Sequence, residues 1–410
     1  MATALALVSE VRGLPAKKRV PGVRLDRKAL EAEVTRLLAE ESPREAIEGN
    51  TEVLFALDAV PANFDLQATL RRLYSSELAG FYDAKLRRMV LASDLGKDME
   101  RMTLYHELVH ALQDQHFDLS HAFDWKPEAA DAQAAYHSLA EGDATAAMTE
   151  IFAAALGVPP QQIPPAALKL DATLLQASPN LRDVPGVISR SMIAPYADGL
   201  AFVAYLRDHQ GGWPAVDGAF RRAPISTEQI LHPDKYLKNE AVIALADIET
   251  PNGFSAEAFR DVMGEQGLRL LFEEWLPSSG ANEAASDWGG DRLAVFSAGD
   301  QRLMRWHLVF DSEAAAKRAL HAFARGAVRP ELGATYDPMR PFAERKQAQA
   351  AIRGEGVCQP RTQRGAFAAA RHGRHVGVSL GPYQRGVKGV QGTSDCPASL
   401  AAARALAKAQ

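Results

Sequence analysis

Tyr105-His106-Glu107-Leu108-Val109-His110 sits inside a run from Met99 to about Gln115 in which Met102, Leu104, Tyr105, Leu108, Val109 and Leu112 recur at helical intervals, with no Gly or Pro between them. The spacing predicts a buried helix. Four residues advance about 400° along it, so His106 and His110 share a face one turn apart, where two imidazoles can hold the same ion. Glu107 projects about 100° around from His106, within reach of a water on that ion but outside its ligand set.

An ion that performs chemistry needs a third protein ligand and one vacant position for water. Two residues compete for the third place. His106 to His116 reproduces the HExxHxxGxxH spacing, with Met192 in Ser191-Met192-Ile193-Ala194-Pro195-Tyr196 as the matching Met-turn. Gln113 stands where that pattern turns on a Gly, however, so the helix is expected to continue and carry His116 about 120° away from the metal face. The other candidate is Glu141, in Ser138-Leu139-Ala140-Glu141-Gly142-Asp143-Ala144-Thr145 on a following helix read over Glu128–Leu156. A His-His-Glu set results, and the small Gly142 and Ala144 allow close helix approach; the lesser alternative is that Glu141 is an ordinary solvated helix residue.

His232 and Tyr236, four apart in Leu231-His232-Pro233-Asp234-Lys235-Tyr236 and stiffened by Pro233, are the leading donors for a developing oxyanion, ahead of Tyr196 and Tyr82. A surface histidine and a core tyrosine read the same way. Asp114 and Asp143 are placed to accept an N–H from a ligating imidazole.

Around this centre the pattern is mixed. Helices are expected over 28–48, Phe64–Tyr74, Ala166–Leu175, Tyr196–His209 and Asp217–Arg221, a strand at Glu52–Leu57, and a hairpin over Gly80–Ala92 whose edge an extended peptide could join. Asn252-Gly253 marks a boundary between regions 1–250 and 251–410. Beyond it come a helix at Ala256–Trp275, a tight turn at Trp288-Gly289-Gly290-Asp291-Arg292, strands at Leu293–Ser297 and Arg302–Phe310, and a helix at Ser312–Gly326. Strands at Gly365–Arg371 and His375–Leu380 and a closing helix follow. The expected fold class is α+β: a mostly helical first region with a small sheet, then a smaller α+β domain with helices on one face of an antiparallel sheet.

The chain has 410 residues, 47% hydrophobic and 24% charged, enough apolar material for more than one core. A net charge of −5 supplies no positive field for a polyanion, which argues against nucleic-acid binding. No run approaches the roughly 20 apolar residues of a membrane span. Met1–Val8 is apolar but lacks a basic flank and runs into Ser9, Glu10 and Arg12, so either the protein is cytoplasmic or a leader has been removed. The two cysteines, Cys358 and Cys396, either close one loop or are separate buried thiols.

His106–Leu119 (HELVHALQDQHFDL), Leu139–Thr145 (LAEGDAT), Leu78–Asp83 (LAGFYD), Ser226–Tyr236 (STEQILHPDKY) and Trp288–Arg292 (WGGDR) together resemble an uncharacterised bacterial family of gluzincin-type zinc peptidases, along most of the chain. The resemblance implies a zincin-like catalytic domain, Zn2+ held by His106, His110 and Glu141, Glu107 as general base, and a peptide or protein substrate. It also implies an exported protein, with which a Cys358–Cys396 bridge is consistent. The alternatives are a peptidase using His116 as third ligand, or a non-catalytic binding protein on the same fold.

Overall fold

The computed structural model describes the chain apart from residues 121, 123, 159–183, 330–339, 387–388 and 410. Helix α1 (Ala2–Arg12) buries Leu5, Val8 and Arg12 and ends on Gly13 at φ +75°. Strand β1 (Gly22–Leu25) leads to α2 (Arg27–Glu41), whose N-cap Asp26 accepts from Ala29 N at 2.8 Å. Pro43 lacks an N–H and cannot continue α2, so α3 (Arg44–Ala56) starts anew there, and the expected single helix over 28–48 is two. The expected strand at 52–57 is the end of α3. Its β-branched and aromatic residues are drawn instead into a core, where Val53, Phe55 and Ala56 are buried.

Helix α4 (Leu66–Glu77) precedes a hairpin of β2 (Gly80–Asp83) and β3 (Arg88–Ala92). The first sheet has the order β1-β3-β2, with β1 parallel and β2 antiparallel to β3, which leaves β2 at an edge. Helix α5 (Lys97–Phe117) packs on β2 and β3, and α6 (Ala130–Ala155) packs on α5. Then come α7 (Gly186–Gln210), α8 (Trp213–Arg221), α9 (Thr227–Leu231) and α10 (Pro233–Leu237). The helix expected at Ala166–Leu175 lies outside the described residues.

The span 256–275 divides into β4 (Ala256–Asp261) and α11 (Gly264–Phe272), parted at Gly264 with φ +72°, a conformation that ends any continuous helix. Next are α12 (Ser278–Ala285), β5 (Trp288–Ala298), β6 (Gln301–Phe310), α13 (Glu313–Val328) and α14 (Arg340–Ala351). Strands β7 (Gly356–Arg361), β8 (Gly365–His372), β9 (His375–Gly386) and β10 (Gly389–Gly392) and helix α15 (Cys396–Lys408) close the chain. The second sheet is antiparallel, in the order β4-β5-β6-β9-β8-β7 with β10 on β9.

Helices cover both faces of this sheet rather than one. Along β8, Phe367 and Ala369 join the core that holds Phe323 of α13, whereas Ala368 and Ala370 pack with Ala403 of α15. Successive strand residues point to opposite faces, and here both sets are apolar. Gly377 admits α15 closely, since a methyl there would lie 2.1 Å from the Ala403 carbonyl oxygen. The largest core also joins Val53, Phe55 and Leu73 to Phe259, Trp288, Trp306 and Tyr383, so buried contact runs across residue 250. Cys358 on β7 and Cys396 at the start of α15 form a disulfide with Cα atoms 5.7 Å apart. The fold is α+β with two separate sheets, and among the described residues no helix is long and apolar enough to cross a membrane.

Candidate metal centre

Helix α5 is held by the face carrying Leu108, Ala111 and Leu112, all fully buried with Met89 and Leu91 of β3. Asp98 and Glu100 in its first turn complement the positive end of the helix dipole. His106 and His110 leave on a different side, toward α6. Helix α6 is in turn locked against α7 by two glycines: a methyl at Gly142 would lie 2.1 Å from the Gly199 carbonyl carbon, and one at Gly199 would lie 1.7 Å from the Ser138 oxygen. That close crossing sets Glu141, beside Gly142, next to Tyr196, one turn before Gly199.

Glu141 Oε2 lies 3.0 Å from His106 Nε2 and 3.5 Å from His110 Nε2, and the two imidazole nitrogens are 3.1 Å apart. These three side chains form one His/carboxylate group, and among the described residues no fourth His, Cys, Asp or Glu joins it. Their side chains remain 10–13% exposed, so the group opens to solvent. Burial acts to raise Glu141, but the charge of His110 and hydrogen bonds from His106, His110 and His137 hold it well below the usual carboxylate range. His137 Nε2, one turn before Glu141, engages the other oxygen, Oε1, at 3.1 Å. A second group, Glu228, Glu240 and Asp311, surrounds the Lys235 ammonium at 2.6, 2.8 and 2.5 Å and is satisfied by that cation.

Glu107 is buried beside the histidines, and burial pushes its carboxyl up against the opposing pull of His110 and His106. Its Oε2 accepts the Tyr82 backbone N–H from the edge strand β2 at 2.8 Å. The Tyr82 hydroxyl donates to Asp114 Oδ2 at 2.8 Å, and Asp114 Oδ1 accepts the Leu119 N–H. Asp114 therefore braces β2 and the end of α5, and among the described residues it shares no hydrogen bond or ion pair with an imidazole. The Tyr196 ring stacks on His106 with centroids 5.9 Å apart and planes 29° apart. The Glu141 charge, followed by burial, keeps its phenol well above the ordinary range.

The structure places the other sequence candidates elsewhere. With Gln113 in place of a glycine, α5 runs on to Phe117, and His116 Nε2 meets the Pro15 carbonyl at 2.8 Å on the surface. His232 pairs with Glu265 at 2.8 Å. Its segment is tied at Thr227 to Asp131 (N to Oδ1, 3.0 Å), ten residues before Glu141, or about 15 Å along α6. The Tyr236 hydroxyl donates to the Arg222 carbonyl at 2.9 Å, and its ring packs on Phe202. Among the described residues neither shares a hydrogen bond, ion pair or ring contact with His106, His110 or Glu141. The partner of His110 Nδ1 is Gln113, whose Oε1 is 2.8 Å away; Asp143 stands behind it, 2.8 Å from Gln113 Nε2. Gln113 was detectable in principle, three residues on from His110 along one helix face. Tyr82 acts through its backbone, which no side-chain pattern announces.

The family described as Domain of unknown function (DUF8575) matches residues 252–391, a stretch beyond α5, α6 and α7. No curated protein and no solved structure matches the chain.

Proposed function

We propose that this chain is a zinc-dependent peptidase of the gluzincin type, with a zincin-like arrangement of α5, α6 and the β2 edge. The observation that carries the reading is the approach of Glu141 Oε2 to both imidazole Nε2 atoms, at 3.0 and 3.5 Å. Zinc with bonds of about 2.0–2.1 Å in a tetrahedron has ligand atoms about 3.3 Å apart. The three separations here bracket that value, and the donor set of two neutral imidazoles and a carboxylate suits a borderline ion. His106, His110 and Glu141 would hold it.

When bound there, zinc supplies Lewis acidity that acidifies water toward a pKa of about 7 and polarises a peptide carbonyl. Glu107 takes the proton from the attacking water as its oxygen bonds to the carbonyl carbon, then delivers it to the departing amine nitrogen as the C–N bond breaks. The Tyr82 N–H holds one Glu107 oxygen in place, leaving the other to carry the proton. Tyr196, kept protonated beside Glu141, donates to the developing oxyanion, the role the sequence pattern favoured for His232 and Tyr236. The disulfide supports a place in an oxidising compartment.

The test is metal content together with cleavage of an unfolded casein-type substrate. The reading expects about one zinc per chain, with Glu107→Gln retaining the metal and losing hydrolysis. A native protein that takes up no zinc overturns it; one that binds zinc without chelator-sensitive hydrolysis is a binding protein.

A further inference from the structure

Gln113 is fully buried, and both ends of its amide are committed. Its Nε2, able only to donate, points at two acceptors, the Ala140 carbonyl at 3.0 Å and Asp143 Oδ2 at 2.8 Å. Its Oε1, able only to accept, therefore faces His110 Nδ1 at 2.8 Å, and that ring nitrogen has to carry the proton. With Nδ1 held as the N–H, Nε2 is the ring nitrogen that faces His106 Nε2 and Glu141 Oε2 and is left to bind an ion.

The other oxygen of Asp143 is held from outside α5 and α6. Arg12, the last residue of α1, places its Nε 2.5 Å from Asp143 Oδ1, and both side chains are fully buried. The same guanidinium reaches Asp217 Oδ1 at 2.7 Å and lies over the Trp213 ring at 4.5 Å, so its own orientation is determined from two further sides. A continuous hydrogen-bonded chain thus runs Arg12, Asp143, Gln113, His110.

We propose that Arg12 is a positioning residue of the metal centre. It orients Asp143; Asp143 and the Ala140 carbonyl fix the Gln113 amide; and Gln113 holds His110 in the Nδ1–H form that offers Nε2 to the ion. This rests on the metal-binding reading above and extends it to the first helix, none of whose residues is a ligand. A role confined to packing would anchor α1 on α6 and leave the imidazole untouched.

The experiment is a cycle of zinc affinities, measured by competition with a chromophoric chelator, for wild type, Arg12→Lys, Gln113→Met and the double variant. The 15N chemical shifts of the His110 ring are read in the wild-type protein, metal-free and zinc-loaded. Gln113→Met is expected to weaken zinc binding about 10- to 100-fold and Arg12→Lys several-fold, while Arg12→Lys adds nothing once Gln113 is gone. His110 Nδ1 is expected to be protonated in both wild-type samples. Additive losses in the double variant, or a wild-type Nδ1 without its proton, overturn the proposal. Should Arg12→Lys not fold, Asp143→Asn, which keeps the side-chain shape, takes its place in the cycle. A wild type that binds no zinc overturns the metal-centre reading itself; a zinc-binding wild type with additive losses overturns the role of Arg12 alone.

Discussion

Replacing Gly199 by Ala separates the packing that assembles the centre from the chemistry within it. The new methyl would sit 1.7 Å from the Ser138 carbonyl oxygen and 2.6 Å from its carbon. Ordinary contact begins near 3.4 Å, so α6 and α7 have to part by about 1.7 Å, and because the obstructing atoms are backbone no side chain can yield instead. Overpacking costs about 1–3 kcal/mol, and a rigid obstacle puts this variant at the upper end, about 3 kcal/mol. Glu141 and Tyr196 ride on the two displaced helices, so zinc affinity should also fall, by about tenfold or more. Gly218→Ala on α8 is the control. Nothing lies within 4 Å of its added methyl, and relief of helical backbone entropy should stabilise the fold by about 0.5–1 kcal/mol. Urea unfolding followed by circular dichroism, with zinc competition on each variant, measures both quantities. Gly199→Ala with stability within about 0.5 kcal/mol of wild type and unchanged zinc affinity would refute the reasoning.

Tyr196→Phe should keep its zinc and leave KM nearly unchanged while kcat drops about 10²–10³-fold, measured on a defined peptide; equal kcat values remove Tyr196 from the reaction. Cys358→Ser with Cys396→Ser opens a loop closed over a sequence separation of 38 and should cost about 3–4 kcal/mol in urea unfolding without altering zinc affinity, since both residues lie on β7 and α15. Burial raises Asp131 to about 7, with Asp291 and Glu265 adding their charge. Its folded pKa exceeds the unfolded value near 3.9, so the native state binds the extra proton and this stabilising contribution is lost as pH rises from about 4 to about 7, up to about 4 kcal/mol in all. Asp131→Asn should flatten that part of the stability–pH slope relative to wild type; identical slopes contradict the assignment.

Helix α5 and the face that carries His106 and His110 were legible because 21 residues without Gly or Pro carry one period, and the two imidazoles fall one turn apart by helix geometry alone. The Gly80–Ala92 hairpin and the strands around β6 and β9 were equally plain from their alternation. Glu52–Leu57 was misread because Val53, Phe55 and Leu57 favour a strand locally, and only their burial against Phe259 and Trp288 reveals the last turns of a helix. The span 256–275 was misread for the opposite reason: β4 takes its conformation from pairing with β5, which no window of sequence contains. At the site, Arg12 meets Asp143 across a sequence separation of 131, and Tyr82 contributes a backbone N–H. Both follow from tertiary packing, not from local pattern. His232 and Tyr236 attracted notice by residue type, yet Glu265 and the Arg222 carbonyl already occupy them.

The most direct test of the centre is zinc K-edge X-ray absorption on the loaded wild-type protein and on Glu141→Ala. Two imidazole nitrogens and one carboxylate oxygen from the protein, with a light atom from solvent in the fourth position, and loss of tight zinc binding in Glu141→Ala, are the predicted result. A shell filled by four protein ligands, or a Glu141→Ala variant that holds zinc as firmly as wild type, contradicts the account.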